Sequence, residues 1–276
     1  MTTALPLAWV QQEHKSSSSL PVNIETAYDI TYQSPNKLTF DIEIDRCLEL
    51  TDRGGGGSFC VITSNSSLYH LSNILLTRLG VRALLSKRQC GFESSSVIFI
   101  DAGNCSDIYQ TVNFARQYGL DVQKVLDSII VSRPFNIHQL AGLIINGLDS
   151  AVITQRIGAK LLVISDLLKM FVQDPQIDPD EARWLVREIA RSLRKISRQV
   201  LIVVSMYECL PRYGRSPPMS LIDKQIRIAR TAKEPNRLQV KLNCSNSNLH
   251  YVNRGERLST SSYIMTERGI NIVPAH

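Results

Sequence analysis

The chain has 276 residues, of which 43% are hydrophobic and 20% are charged, which is enough apolar sequence for one sizeable buried core. The 31 Lys and Arg residues outnumber the 25 Asp and Glu residues and give a formal net charge of +6, which favours a polyanionic partner only where the basic residues cluster. No stretch approaches the roughly 18 to 20 consecutive apolar residues of a membrane span, which argues against a transmembrane helix.

The N-terminal sequence is rich in serine and has neither a helical nor a strand period. We predict a flexible tail over residues 1–35, followed by one core domain over residues 36–276. The tail lacks the charged and then apolar order of a signal peptide. The six cysteines include no C-x-x-C pair, which is typical of free thiols in a reducing compartment. We therefore expect a cytoplasmic protein.

Five short runs rich in Val and Ile follow along the chain. They are FCVIT (59–63), VIFID (97–101), SIIVS (128–132), KLLVIS (160–165) and VLIVVS, which begins at Val200. Such nearly uninterrupted apolar runs predict strands that are buried on both faces of a parallel sheet.

Helical periodicity separates these strands in SLYHLSNILLTRLGVRALL, SDIYQTVNFARQYG, NIHQLAGLIINGL and DPDEARWLVREIARSLRKIS. The last of these begins with Asp178 as the expected N-cap and Pro179 at the first helical position. Alternating strands and helices predict an α/β fold with a wound, mostly parallel sheet. The segments RLQVKLN, NLHYVNR and SYIMTERGI predict antiparallel strands that extend one edge of it, and residues 207–226 are expected to form a long exposed loop.

The turn TSNSSLYH, between the first strand and the first helix, lies where a P-loop ATPase carries its glycine-rich phosphate loop. It has no glycine, and no lysine occurs between Lys37 and Lys87. The helix dipole and the serine hydroxyls could hold an anion only weakly. Alternatively, the turn simply caps a structural helix through Ser66 or Ser67. The degenerate P-loop region comprises Ser64, Asn65, Ser66 and Ser67.

The acidic positions at the strand ends also depart from an ATPase. Gly103 and Asn104 follow the second strand, where a water-orienting carboxylate is needed, and neither can act as a base. Asp101 and Asp166 are expected to bind backbone N–H groups or cap helices more readily than to hold a metal. The histidines have no metal-ligand spacing. We therefore predict no catalytic residues, no nucleotide or other cofactor, and no metal site.

Four stretches carry a family resemblance: LGVRALLSKRQCGFESSSVIFIDAGN, ARQYGLDVQKVLDSIIVSRPFNIHQLAGLI, AKLLVISDLLKMF and ERLSTSSYIMTERGI. They are distributed over residues 36–272 and resemble the ATPase core of the RecA/RadA recombinase family. The second stretch is similar to archaeal and eukaryotic recombinases and their paralogs. The resemblance implies a RecA-like fold and a role in recombinational DNA repair, with a location at the nucleoid, or in the nucleus if the source is eukaryotic.

The departures fall on the catalytic positions, so the resemblance implies a catalytically degenerate, archaeal-type paralog, a pseudo-ATPase that acts by binding. Its expected partners are single-stranded DNA, an active recombinase in a hetero-oligomer, or both. Two alternatives remain open. One is a weak ATPase that a neighbouring subunit completes, and the other is a protein-interaction scaffold without DNA binding.

Basic residues occur where the resemblance places DNA-binding elements. The family's first DNA loop corresponds to QDPQIDPDE (173–181), which is acidic here, and the second to residues 207–226. Arginine beside an aromatic residue suits backbone contact and base stacking. The predicted helix 178–198 also carries an arginine stripe beside its apolar stripe, although both clusters could be ordinary solvated surface. The candidate DNA-binding residues are Arg212, Tyr213, Arg215, Lys224, Arg227, Arg187, Arg191 and Arg194.

A candidate docking segment lies in the N-terminal tail. In the resembled family, a Phe-x-x-Ala segment ahead of the core docks on the neighbouring subunit. The stretch NIETAYDI offers Ile24 and Ala27 in a similar place, with an aliphatic residue where the aromatic one would be. Ile24 and Ala27 are therefore the candidate partner-binding residues.

Overall fold

A computed structural model describes residues 58–64, 68–148, 153, 156–207 and 221–230, and the backbone of strands at 37–38, 50–51, 237–244, 262–266 and 269–274. The predicted strand NLHYVNR lies outside the described residues, and so do eight of the candidate site residues: Ile24, Ala27, Asn65, Ser66, Ser67, Arg212, Tyr213 and Arg215.

The described strands form two sheets. A short antiparallel pair joins β1 (Lys37–Leu38) to β2 (Leu50–Thr51). The larger sheet contains β3 (Phe59–Ser64), β4 (Ser96–Asp101), β5 (Ile129–Ser132), β6 (Ala159–Ser165), β7 (Leu201–Tyr207), β8 (Lys224–Arg230), β9 (Arg237–Cys244), β10 (Ser262–Thr266) and β11 (Gly269–Pro274).

The larger sheet has the strand order β11-β10-β9-β8-β3-β7-β6-β4-β5. The six strands from β8 to β5 in this order pair in parallel, and β9, β10 and β11 extend the β8 edge in antiparallel fashion. The predicted fold class, a wound and mostly parallel sheet with antiparallel edge strands, is confirmed.

Helices lie between the successive parallel strands from β3 to β7, as crossover connections require. They are α1 (Tyr69–Ala83), α2 (Ile108–Gln117), α3 (Val122–Ser128), α4 (Ile137–Gly142), α5 (Lys169–Gln173) and α6 (Pro179–Ile196), with a 3₁₀ turn at Lys87–Gln89 and a π-helical turn at Leu143–Gly147. Within the described residues, none of these helices has the length and hydropathy that crossing a bilayer requires.

The helix starts test the predicted caps. Asp178 accepts hydrogen bonds from the N–H groups of Asp180 and Glu181 at 2.8 and 3.1 Å, and Pro179 opens α6, as predicted. The predicted serine cap of α1 is wrong, because Leu68 occupies the N-cap and has no side-chain hydrogen bond.

Each face of the sheet has its own hydrophobic core, because side chains alternate along a strand. Ile98 and Ile100 of β4 point into the core beneath α4 and α6, whereas Val97 and Phe99 point into the core beneath α1. This alternation explains the unbroken apolar runs. The apolar stripe of α6 is buried as predicted and consists of Leu185, Ile189, Leu193 and Ile196.

Three strand predictions need correction. The strand at 128–132 is not buried on both faces, because it is the edge strand β5, and Ile130 and Val131 are 43% and 50% exposed. The loop predicted over 207–226 reaches into β8, whose Ile226 and Ile228 are buried against α1. The single strand predicted in SYIMTERGI is two strands, β10 and β11, that pair as a hairpin.

Candidate functional site

A cluster of buried polar residues lies where the central parallel strands end. Ends of parallel strands meet at one edge of the sheet, which is where α/β proteins of this architecture place their sites. β4 contributes Asp101, β6 contributes Ser165, and β7 contributes Ser205, all three fully buried. Asp166 follows β6 directly and is also buried.

Asp101 is the most highly coordinated member of this cluster. Its Oδ1 accepts from the N–H of Cys105 at 2.9 Å and the hydroxyl of Ser165 at 2.8 Å. Its Oδ2 accepts from the N–H and hydroxyl of Ser106 at 3.1 and 2.6 Å and from Nε of Arg133 at 3.1 Å. Burial acts to raise the pKa of Asp101, but these hydrogen bonds outweigh it and hold the pKa below its ordinary value. The expectation that Asp101 binds backbone N–H groups is confirmed.

Asp166 is held differently. Its backbone is left-handed, with φ of 46°, and its N–H donates to the hydroxyl of Ser205 at 2.8 Å. Its carboxylate contacts side chains rather than the expected backbone N–H groups: Asn73 Nδ2 at 3.4 Å, Cys105 Sγ at 3.5 Å and Ser205 Oγ at 3.5 Å. Burial raises the pKa of Asp166, so its ionised form is disfavoured in the folded protein.

The segment after β4 closes over these carboxylates. A Cβ atom added to Gly103 would lie 2.7 Å from Cβ of Asp166 and 2.9 Å from Sγ of Cys105, so no larger residue fits there without a shift of the chain. The Cys105 thiol is partly buried between Asp101 and Asp166, and this burial, together with the charges of the two carboxylates, raises its pKa to about 12. The thiol is therefore neutral at physiological pH and is a poor nucleophile.

Lys169, at the start of α5, supplies the cation beside this edge. Its ammonium donates to the carbonyl of Gly103 at 2.5 Å and lies 6.0 Å from the ring centroid of Tyr69, the first residue of α1. The charge of Lys169 partly offsets the rise in the pKa of Asp166. Lys169 therefore ties α5 to the segment after β4 instead of extending into solvent.

The one described residue of the P-loop region is engaged within the protein. Ser64 is buried and accepts a hydrogen bond from the hydroxyl of Ser72 of α1 at 3.0 Å. Within the described residues, no group of three or more His, Cys, Asp or Glu side chains could hold a metal ion. The carboxylate of Asp101 is engaged by hydrogen bonds from within the protein, and Asp166 is buried beside Asn73.

A second feature is an apolar groove beside β5. A cavity of about 440 Å³ opens between α1, α2 and the ends of β4 and β5, and Ser106, Asp107 and Arg133 form its polar rim. Among the described strands, none pairs with the outer side of β5. The apolar lining residues that matter here are Phe99, Ile108, Leu126, Ile129 and Val131.

The structure describes five of the eight candidate DNA-binding residues, and these five lie in three different environments. Arg187 and Arg191 lie exposed on α6, and Arg191 pairs with Glu188. Arg194 instead pairs with Asp223 at 2.5 Å, and Asp223 also accepts the N–H of Phe59 at 2.9 Å. Lys224 and Arg227 lie on β8, where Arg227 is exposed and Lys224 is partly buried. Arg194 therefore has a structural role, because it ties α6 to the starts of β3 and β8.

Sequence reasoning missed most of the polar cluster at the strand ends. Arg133 reaches Asp101 across 32 residues, and Asn73 reaches Asp166 across 93. One signal was available: polar residues within a few positions of the end of an apolar strand, such as Cys105 and Ser106 after β4, meet at one edge when the strands are parallel. The partners Asn73 and Lys169 lie within helices and give no such signal.

A parallel sheet of this order, with helices on both faces and a polar cluster at the carboxyl ends of its strands, defines an α/β protein of the RecA-like class. The Rad51 family model matches residues 54–209, more than half of the chain, and the chain belongs to the Rad51 family. No curated protein matches the chain. The Rad51 domain indicates a role in recombination and DNA repair.

Proposed function

We propose that this chain is a non-catalytic Rad51-family protein that acts by binding an active family member in a hetero-oligomer and by binding single-stranded DNA. The observation that carries the proposal is the apolar outer edge of β5, with which none of the described strands pairs, together with its adjoining cavity. Its action would lie in a reducing compartment that contains DNA.

The polar cluster at the strand ends supports the non-catalytic part. ATP hydrolysis requires a group that orients water, a cation on the outer phosphates and a phosphate-binding loop. Gly103 stands where the carboxylate is needed and has no room for a side chain, while Asp101 is saturated with hydrogen bonds. Lys169, the nearby ammonium, donates to a backbone carbonyl.

The groove beside β5 supports the partner-binding part. An edge strand offers unpaired backbone groups, and an extended segment of another protein can add to it as a further strand. The exposed Val131 and the cavity next to it give such a segment a place for one apolar side chain. A Rad51-family subunit with an extended apolar segment is the partner that this surface fits.

DNA binding is supported by exposed basic side chains. Arg187 and Arg191 lie on one helix, and Arg227 is exposed on β8. The candidates Arg212, Tyr213 and Arg215 lie outside the described residues and remain predictions. Charge of this kind binds the phosphate backbone with little sequence preference.

Millimolar MgATP is expected to raise the melting temperature of the purified chain by less than about 1 °C, because a ligand stabilises the native state only in proportion to its occupancy. Differential scanning fluorimetry with sodium sulfate as the ionic control measures this shift. A shift of several degrees with ATP alone would favour the alternative of a weak ATPase completed by a neighbouring subunit.

Deleting residues 1–30 is expected to weaken binding of the family partner while leaving the core folded. An apolar residue with a small residue three places later, as in Ile24 and Ala27, can enter a pocket on another subunit. Circular dichroism checks the fold, and co-purification checks the complex. If the truncated chain fails to fold, the segment belongs to its own core.

A further inference from the structure

Helix α6 carries a row of exposed residues on the side opposite the core. At 100° per residue, Trp184, Arg187, Arg191 and Lys195 fall within an arc of about 80°, and Arg198 continues the row just beyond the helix. All five are exposed, and Trp184 is 55% exposed although it is the largest apolar side chain of the helix. The buried stripe around Ile189 faces the other way.

The charges around this row leave it basic. From Pro179 to Arg198 the chain has six basic residues and three acidic residues, Asp180, Glu181 and Glu188, and Asp180 falls within the arc of the row. Glu188 pairs with Arg191 at the surface, where such pairs contribute little and exchange readily. Asp180 lies in the first turn and pairs with Arg183, which is at the flank of the helix.

Arg194 does not belong to the row, because it lies at the flank and its guanidinium binds Asp223. Within the described part of the chain, Arg187, Lys195 and Arg198 have no carboxylate partner. They are therefore the side chains that an anionic partner meets first.

We infer that this row, Trp184 with Arg187, Arg191, Lys195 and Arg198, is a platform for single-stranded nucleic acid. Successive cations are spaced about 6 Å along the helix axis at 1.5 Å per residue, a regular ladder that suits a chain of phosphates. Trp184 at one end offers a ring on which a base stacks. The inference rests on the DNA-binding part of the proposed function and assigns it a surface on α6.

The test uses tryptophan fluorescence. The full chain has two tryptophans, so Trp9→Phe leaves Trp184 as the only one. Titration with an oligothymidine at low salt is expected to quench Trp184, and Trp184→Ala in the natural chain is expected to lower the affinity about tenfold, measured by anisotropy of a labelled oligothymidine. Changing Arg187, Arg191, Lys195 and Arg198 together to Gln should lower it on the order of 100-fold and reduce the slope of log K against log salt by about 3.

A matched control removes the same charge elsewhere. Lys87, Arg88, Arg116 and Lys124 are also exposed, and their joint change to Gln should leave affinity within about threefold of the natural chain. If the two quadruple variants bind equally, the platform is overturned, while DNA binding itself stands. If the natural chain binds no oligothymidine at low salt, both the platform and the DNA-binding part of the proposed function are wrong. Binding without quenching, or equal binding of poly-glutamate, would overturn the stacking role of Trp184.

Discussion

Replacing Asp101 with asparagine is expected to destabilise the protein by about 2–4 kcal/mol at neutral pH, because each buried donor left without an acceptor costs about 1–3 kcal/mol. The amide nitrogen of asparagine cannot accept hydrogen bonds, so it would face two or more donors that Asp101 now satisfies, among them Ser106 and Arg133. Chemical denaturation at pH 7 measures the change in the free energy of unfolding.

The pH dependence of this stabilisation has a defined sign. The pKa of Asp101 is lower in the folded protein than in the unfolded chain. Its contribution is therefore fully present above the unfolded value, near 3.9, and is lost as the pH falls through the lower folded value. As the pH falls from the unfolded pKa to the lower folded pKa, the free energy of unfolding of the natural chain should decrease. The Asp101→Asn variant should show a smaller decrease over the same interval.

Asp166→Asn is the matched comparison, because this carboxyl is also buried but its pKa is shifted the other way. The raised pKa of Asp166 means that the folded protein binds its proton more tightly, so its contribution to stability falls as the pH rises from the ordinary aspartate value to the raised one. Asparagine resembles the neutral acid, so this variant should remove that fall and keep most of its stability at pH 7. Equal losses of stability at pH 7 in the Asp101→Asn and Asp166→Asn variants would contradict the opposite pKa shifts of these two carboxyl groups.

The elements of the fold could be predicted because their signals are local. The apolar runs at 97–101 and 160–165 form strands where expected, and the Asp178–Pro179 start of α6 follows from capping chemistry. The edge position of β5 could not be predicted, because SIIVS is as apolar as the buried strands. Strand order depends on packing between distant segments, which a local pattern does not record.

The candidate site, like the fold, could be predicted from the sequence only in part. Gly103 and Asn104 indicated from the sequence alone that no base follows β4. What could not be inferred is that the position is also closed sterically, because the backbone of residue 103 packs against Asp166. A glutamate could therefore not be restored there by one substitution without a shift of the chain. The identity of residue 103 is thus coupled to the packing of the buried cluster around Asp166 and Cys105.

Replacing Val131 with glutamate is expected to reduce binding of a Rad51-family partner by at least about 100-fold, that is, by about 2.7 kcal/mol or more. Val131 lines the cavity beside β5, and a docked apolar segment would force the new carboxylate out of water without a counter-charge. The substitution should lower the free energy of unfolding of the isolated chain only slightly, because Val131 is 50% exposed and surface substitutions are usually tolerated.

Ile130→Glu is the matched control. Ile130 is the neighbouring residue of the same strand, has a similar exposure of 43% and points to the opposite face. Affinity purification of tagged variants, with the recovered Rad51-family subunits quantified by mass spectrometry, separates the two. Loss with Val131→Glu and retention with Ile130→Glu would locate the partner in the groove beside β5. Equal retention by both variants would move the interaction to another surface, because a segment added to β5 cannot avoid the side chain at position 131.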